Sequence, residues 1–116
     1  MKDKPPGVDE NAVWYHGYCT RGTAERAIYL QGDAQDGMYL VRQSPNGKNE
    51  IVFCVLYAGQ VQHYKARYLD QQRYYFYGNT FDNVQAIIDF HRINKGGDKL
   101  GKGGLAVLLL TPCVRF

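Results

Sequence analysis

Apolar residues in this chain fall into short blocks separated by glycine, proline and asparagine, with two stretches of helical spacing among them. The clearest block runs Gly37-Met38-Tyr39-Leu40-Val41-Arg42-Gln43-Ser44 and ends in the turn signal Ser-Pro-Asn-Gly. At a period of two, Met38, Leu40, Arg42 and Ser44 share one face and Tyr39, Val41 and Gln43 the other. Both faces are largely apolar, which predicts an interior strand covered on both sides. Ile51 to Tyr57 is a second strand, apolar on both faces, and Ala58-Gly59 closes a short hairpin. Val61 to about Leu69 is a third, with His63, Lys65 and Arg67 on one face and Gln62, Tyr64, Ala66 and Tyr68 on the other. Arg73 to Tyr77 is a short aromatic strand ended by Gly78-Asn79, and Leu105 to Leu110 is an apolar closing strand ended by Thr111-Pro112.

Thr20 is suited to cap a helix over Arg21 to Gln31, whose apolar stripe is Ala24, Ala27 and Ile28 and whose stop is Gly32. Asp82 with Gln85 forms a capping-box pattern for a second helix, Asn83 to about His91, with Val84, Ile87, Ile88 and His91 on its stripe. Ordered structure is expected to begin at Ala12 to Gly17, around the single tryptophan, Trp14. Met1 to Asn11, polar and holding Pro5, Pro6 and Gly7, reads as a flexible lead-in, which leaves 12–116 as one domain. Lys95 to Gly104 is too rich in glycine for regular structure and reads as a loop. The order helix, strand meander, helix, short strand predicts an α+β fold: a central antiparallel sheet with one helix on each face.

Composition narrows the chemistry. A chain of 116 residues can bury a core without disulfides or metal. Net charge of +3 and a pI near 8.8 are mildly basic, which fits a local anion site better than a broad nucleic-acid surface. No run is long enough to span a membrane, and the first residues lack the apolar core of a signal peptide. Cys19, Cys54 and Cys113 are an odd number without metal-type spacing, and Cys54 between Phe53 and Val55 reads as a small hydrophobe. That usage points to a reducing, cytoplasmic setting. Neither a cofactor nor a metal is expected. Nor is catalysis, because no paired carboxylates or Cys-His arrangement can be placed in one pocket.

Arg42 carries the sharpest question. A guanidinium cannot shed its proton, so a buried one needs an anion. The protein's own acids compete poorly: Glu50 and Asp36 sit at strand ends and the rest fall in helices or turns. Arg21 lies on the apolar stripe of a first helical turn, against the helix dipole, as if an anion were near; the plainer reading is that it reaches to solvent. The row His63, Lys65, Arg67 would bring further cations beside Arg42 if the strands pair in order, or simply face water at an edge. Ser44 and the loop Pro45 to Asn49 can offer a hydroxyl and backbone N–H groups.

These residues resemble the motifs of the Src-homology-2 family. Trp14-Tyr15-His16-Gly17, Thr20-Arg21 and Ala24-Glu25 look like its opening signature, and Tyr39-Leu40-Val41-Arg42-Gln43-Ser44 like its Phe-Leu-Val-Arg-Glu-Ser strand. His63-Tyr64-Lys65 is similar to its His-Tyr-Lys strand, Phe81 to His91 to its second helix, and Leu105 to Cys113 to its closing strand. The resemblance implies a module that binds phosphotyrosine peptides in signalling. Under it, Arg42 grips the phosphate, Arg21 contacts phosphate and ring, and Ser44 with the loop at Asn46 and Gly47 completes the cradle. His63 buttresses the pocket, and Lys65 flanks the ring. Tyr64 meets the peptide after the phosphotyrosine. Gly78, Asn79 and Thr80, with the glycine-rich loop at Gly96, Gly97 and Leu100, frame a second pocket for a downstream apolar side chain.

The chain departs from the family pattern at Gln43 (usually acidic), at Cys19 (usually aliphatic) and in the length of the 95–104 loop. The expected partners are tyrosine-phosphorylated proteins, met by a monomeric domain whose basic face also allows weak contact with acidic lipid. The rival reading is a nucleic-acid or phosphoinositide binder that uses this face and the aromatic strand Tyr74 to Tyr77 as a stacking platform.

Overall fold

Strand β2, Met38–Gln43, is buried along its whole length, as its two apolar faces require. The computed structural model describes residues 7–9, 11–32, 34–43, 50–71, 73–93 and 108–114. Within them, β2 is followed by β3 (Glu50–Tyr57), β4 (Gln60–Tyr68), β5 (Tyr74–Phe76) and β6 (Asn79–Phe81), each antiparallel to the last. Two short strands, β1 (Tyr15–Tyr18) and β7 (Thr111–Pro112), pair with β2 in parallel. The expected meander is therefore present, with two parallel additions on β2.

Helix α1 (Arg21–Tyr29) covers one face and α2 (Val84–His91) helps to cover the other. On the α1 side, Ala24, Ala27 and Ile28 pack on Met38, Leu40, Val52, Cys54 and Leu56. On the α2 side, Val84, Ile87 and Ile88 pack with Tyr39, Val41, Phe53, Tyr74 and Phe76. The alternation along β2 thus puts odd positions under α2 and even positions under α1. Trp14 is buried in the α2-side core, and its carbonyl accepts the Val41 N–H at 2.8 Å.

Both tight hairpins turn through left-handed residues. Ala58 (φ 53°) and Gly59 (φ 82°) join β3 to β4, and Tyr77 (φ 45°) and Gly78 (φ 95°) join β5 to β6. Positive φ at both central positions matches the twist of the strands they join. The second hairpin corrects an expectation: Asn79 and Thr80 belong to a strand rather than to a loop after the aromatic strand.

Other boundaries also differ from the sequence reading. The Thr20 hydroxyl accepts the Thr23 N–H as expected, but α1 ends two residues short of Gln31. The cap of α2 is Asn83 rather than Asp82; the Asn83 side chain accepts the Ala86 N–H at 2.8 Å. The stretch Met1 to Asn11 is not wholly a lead-in, because Val8 lies in the α2-side core and the Gly7 carbonyl accepts the Val84 N–H.

Among the described residues the closing strand is Thr111–Pro112, and Leu108 to Leu110 of the expected strand lie outside it. Positions 105–107 lie outside the described residues. Leu109 is buried against the α2 side, with its N–H on the His91 carbonyl at 2.9 Å, while the Leu110 N–H reaches the Gly37 carbonyl. This segment crosses the start of β2 so closely that a Cβ on Gly37 would lie 3.0 Å from the Leu108 carbonyl oxygen. Only glycine fits there, at φ +94°.

The shifted cap is testable. Asn83→Ala is expected to cost about 1 kcal/mol and Asp82→Ala less than about 0.5 kcal/mol in urea denaturation. Equal losses would return the cap to Asp82.

Candidate functional site

Three elements place the cationic side chains. Register sets Arg42, Val52 and Lys65 side by side across β2, β3 and β4, and Leu40, Cys54 and His63 across the neighbouring rung of the same face. Arg21, in the first turn of α1, stands over that face. Arg42 is only 7% exposed. Its Nε donates to the Cys54 sulfur at 3.4 Å, and its Nη1 donates to the Cys19 carbonyl at 3.3 Å. Among the described residues, no Asp or Glu oxygen comes within 4.0 Å of its guanidinium. Both partners are formally neutral. The charge lies in the sheet interior without an acid from the described chain beside it.

His63 is half-buried as a residue, with its side chain only 7% exposed. Its Nε2 lies 2.8 Å from Glu25 Oε2 and its Nδ1 3.3 Å from the Cys54 sulfur. Burial holds its pKa below the ordinary histidine value; Glu25 pulls upward, and the cations Arg21 and Arg42 push further down. The Cys54 thiol is pushed up to about 12, chiefly by burial, with Arg42 pulling against it. Cys54 is therefore an uncharged thiol at neutral pH. Cys19 is raised too, again by burial first, with Arg42 opposing.

Arg21 is 71% exposed at the rim, 3.6 Å from Glu25. Lys65 is also exposed, with its Nζ 4.0 Å from Glu50. The structure thus brings Arg21, Arg42, His63 and Lys65 onto one polar face, with His63 one rung from Arg42 and Lys65. Glu25 and Glu50 also stand among the cations of this face. Glu25 was legible, since it lies four residues after Arg21 on the same side of a helix. Cys54 was not, because a thiol in an apolar strand reads as a hydrophobe until its neighbours are known.

Gln43 points to the opposite face, donating to the Tyr18 hydroxyl at 3.0 Å, so its departure from an acidic residue leaves the Arg42 face unchanged. Tyr64 lies on the α2 side, half-buried and edge-on to Tyr77 at 6.0 Å between ring centroids. Gly78 is in the β5–β6 turn, and Asn79 and Thr80 are exposed on β6. Ser44, Asn46, Gly47, Gly96, Gly97 and Leu100 lie outside the described residues. The stacking platform of the rival reading is largely spent on the core: Tyr74 and Phe76 are buried, leaving Tyr75 as the exposed ring of that strand. His91 is likewise core, packed edge-on against Phe76 and Phe90.

A sequence model of the SH2 domain matches residues 14–91, from the core tryptophan to the end of α2. The chain belongs to the SH2 domain family. It is 37% identical over 99 residues to human tyrosine-protein kinase Fer and 36% identical to the Fer kinases of Rattus norvegicus and Mus musculus. Each of these matches covers 85% of the chain and 11% of the kinase, so the chain spans about a tenth of those relatives. The solution structure of the SH2 domain of a Monosiga brevicollis CRK/CRKL homolog superposes with a TM-score of 0.67 at 28% identity. That match covers 90% of this chain and 88% of the other. SH2 domains are non-catalytic modules that bind tyrosine-phosphorylated peptides. No helix among the described residues is long and apolar enough to cross a membrane.

The depressed His63 pKa has a sign that can be measured. The unfolded chain takes up the proton first, near the ordinary value of about 6.5, while the folded site resists it. Stability of this SH2 domain should therefore decline as pH falls below about 6.5 and level off once folded His63 is also protonated. In thermal melts, His63→Gln should show a shallower decline; an unchanged slope would place the loss elsewhere.

Proposed function

We propose that this SH2 domain docks phosphotyrosine segments of signalling proteins with the Arg42 guanidinium as the principal phosphate partner. One observation carries the reading: a permanently charged group, 7% exposed, held by a thiol and a carbonyl and by no carboxylate of the described residues. A phosphate near pH 7 brings about −1.5 to −2 charges and oxygens that accept a bidentate guanidinium. The arginine roots in an interior strand, so the phosphate must ride on a stem long enough to reach it. Tyrosine has that length and serine does not. The phosphotyrosine ring and the Arg21 guanidinium would meet at the rim, where a cation over an aromatic face adds roughly 0.5–2 kcal/mol.

In this reading Ser44, Asn46 and Gly47 close the cradle over the phosphate, His63 buttresses it and Lys65 flanks the ring. Downstream peptide residues cross the sheet toward Tyr64 and are read between Gly78, Asn79 and Thr80 and the loop at Gly96, Gly97 and Leu100. The free thiols of Cys19, Cys54 and Cys113 suit work in a reducing, cytoplasmic compartment. A nucleic-acid role finds less support, because the aromatic strand spends Tyr74 and Phe76 on the core.

Calorimetric titration with a phosphotyrosine peptide and its unphosphorylated and phosphoserine twins tests the proposal. Binding should require phosphotyrosine and weaken only mildly with salt, as one phosphate contact implies. Arg42→Ala should lose roughly 2–5 kcal/mol of it, and Arg21→Ala less, being nearer solvent. Equal affinity across the three peptides, or full affinity in Arg42→Ala, would defeat the reading.

A further inference from the structure

A continuous chain of polar contacts runs from the rim of the site to its floor. Arg21 lies 3.6 Å from Glu25, Glu25 2.8 Å from His63 Nε2, His63 Nδ1 3.3 Å from the Cys54 sulfur, and that sulfur 3.4 Å from Arg42 Nε. The donors can be assigned throughout. Arg42 Nε–H can only donate, so the Cys54 sulfur accepts. A carboxylate can only accept, so His63 Nε2 carries the proton that Glu25 receives. A neutral imidazole then has a bare Nδ1, and the one group beside it that can supply a hydrogen is the Cys54 S–H. Each donor in the series meets an acceptor, and the assignment fails if either His63 or Cys54 changes charge.

We propose that Cys54 is a positioning residue for Arg42, locked by Glu25 through neutral His63; the inference rests on the reading of this site as the phosphotyrosine pocket. The groups facing His63 are Glu25 and Arg21 from α1, Arg42 from β2 and Cys54 from β3. Glu25 fixes the tautomer, the tautomer fixes the direction of the thiol hydrogen, and the sulfur lone pair is thereby turned toward Nε. A guanidinium has five N–H donors. Among the described residues, two of the five are committed, Nε to Cys54 and one Nη1 hydrogen to Cys19, which leaves three for a ligand. The edge bearing Nε faces the sheet, so Nη1 and Nη2 are left as the fork that meets phosphate. Without the sulfur, a flexible side chain could rotate its Nε edge outward and present the wrong pair of donors. Burial and the raised thiol pKa keep Cys54 protonated, the state that this role requires.

The test reads the hydrogen bond and the binding separately. In the ligand-free, 15N-labelled protein, the Arg42 Nε–H signal, assigned by its absence in Arg42→Ala, should be protected from solvent exchange. Protection should persist in Cys54→Ser, which keeps an acceptor and a donor, and be lost in Cys54→Ala and in Cys54→Val, which fills the volume. The 15N shift of His63 Nδ1 should report an unprotonated nitrogen in wild type and lose that single-tautomer signature in Glu25→Gln. Affinity for a phosphotyrosine peptide should fall about tenfold in Cys54→Ala and Cys54→Val and stay within about threefold of wild type in Cys54→Ser. Melting curves establish that each variant is folded. Equal protection of Nε–H in wild type and Cys54→Ala overturns the inference, as does equal loss of affinity in the Ser and Ala variants. A wild type blind to the phosphopeptide but with protected Nε–H overturns the functional reading instead, and the protection result then decides the positioning role alone.

Discussion

A fixed positive charge in the interior of a sheet is costly unless something answers it, and the arrangement around Arg42 follows from that. The side chain leaves an interior strand on the face that α1 covers, where Leu40, Val52 and Cys54 surround its stem. Its hydrogen bonds go to a thiol and a carbonyl, which orient it without neutralising it. The acids that are present stand one step removed: Glu25 holds His63 and the exposed Arg21, and Glu50 leans toward Lys65. The described carboxylates stand close enough to order the site and too far to neutralise Arg42.

The sheet makes this possible by dividing labour between its faces. Alternation along β2 sends Arg42 toward α1 and its neighbours Val41 and Gln43 toward the other side, where the large aromatic core lies. Stability can then rest on Phe53, Tyr74, Phe76, Ile87 and Ile88, none of which touches the charged site. The register of β3 against β4 does the rest, since a slip of one residue would send His63 to the aromatic face and Tyr64 to the charged one. The left-handed turn at Ala58-Gly59 fixes that register at the hairpin tip. The crossing of Leu108 and Leu110 over Gly37 fixes the start of β2.

Much of this was legible in the chain alone. The period-two pattern gave the faces of β2, β3 and β4, and with them the neighbourhood of Arg42, His63 and Lys65; Thr20 gave the start of α1. What was not legible depended on contacts that a local pattern does not encode. Asp82 and Asn83 are both good caps, and only the path of the chain selects the second. Asn79 and Thr80 are polar enough to look like a loop, yet the turn at Tyr77-Gly78 folds them back onto β5. Val8 stands alone in a polar stretch, and its burial follows from the Gly7 contact with α2. Leu108 to Leu110 has the composition of a strand, but the Leu109 and Leu110 N–H groups are taken by the His91 and Gly37 carbonyls. Cys54 was read as a hydrophobe, and by burial it is one; its lone pair and hydrogen matter only because Arg42 and His63 arrive from two other strands.

The described chain leaves the Arg42 charge unanswered. Urea denaturation of the ligand-free protein beside Arg42→Met, which keeps the length of the stem and removes the charge, tests it most directly. If the guanidinium is buried without an internal anion, the variant should be at least as stable as wild type, because a desolvated charge has been replaced by an apolar group. A loss of about 3–5 kcal/mol, the size expected when one member of a buried ion pair is removed, would show that the protein already neutralises Arg42 itself.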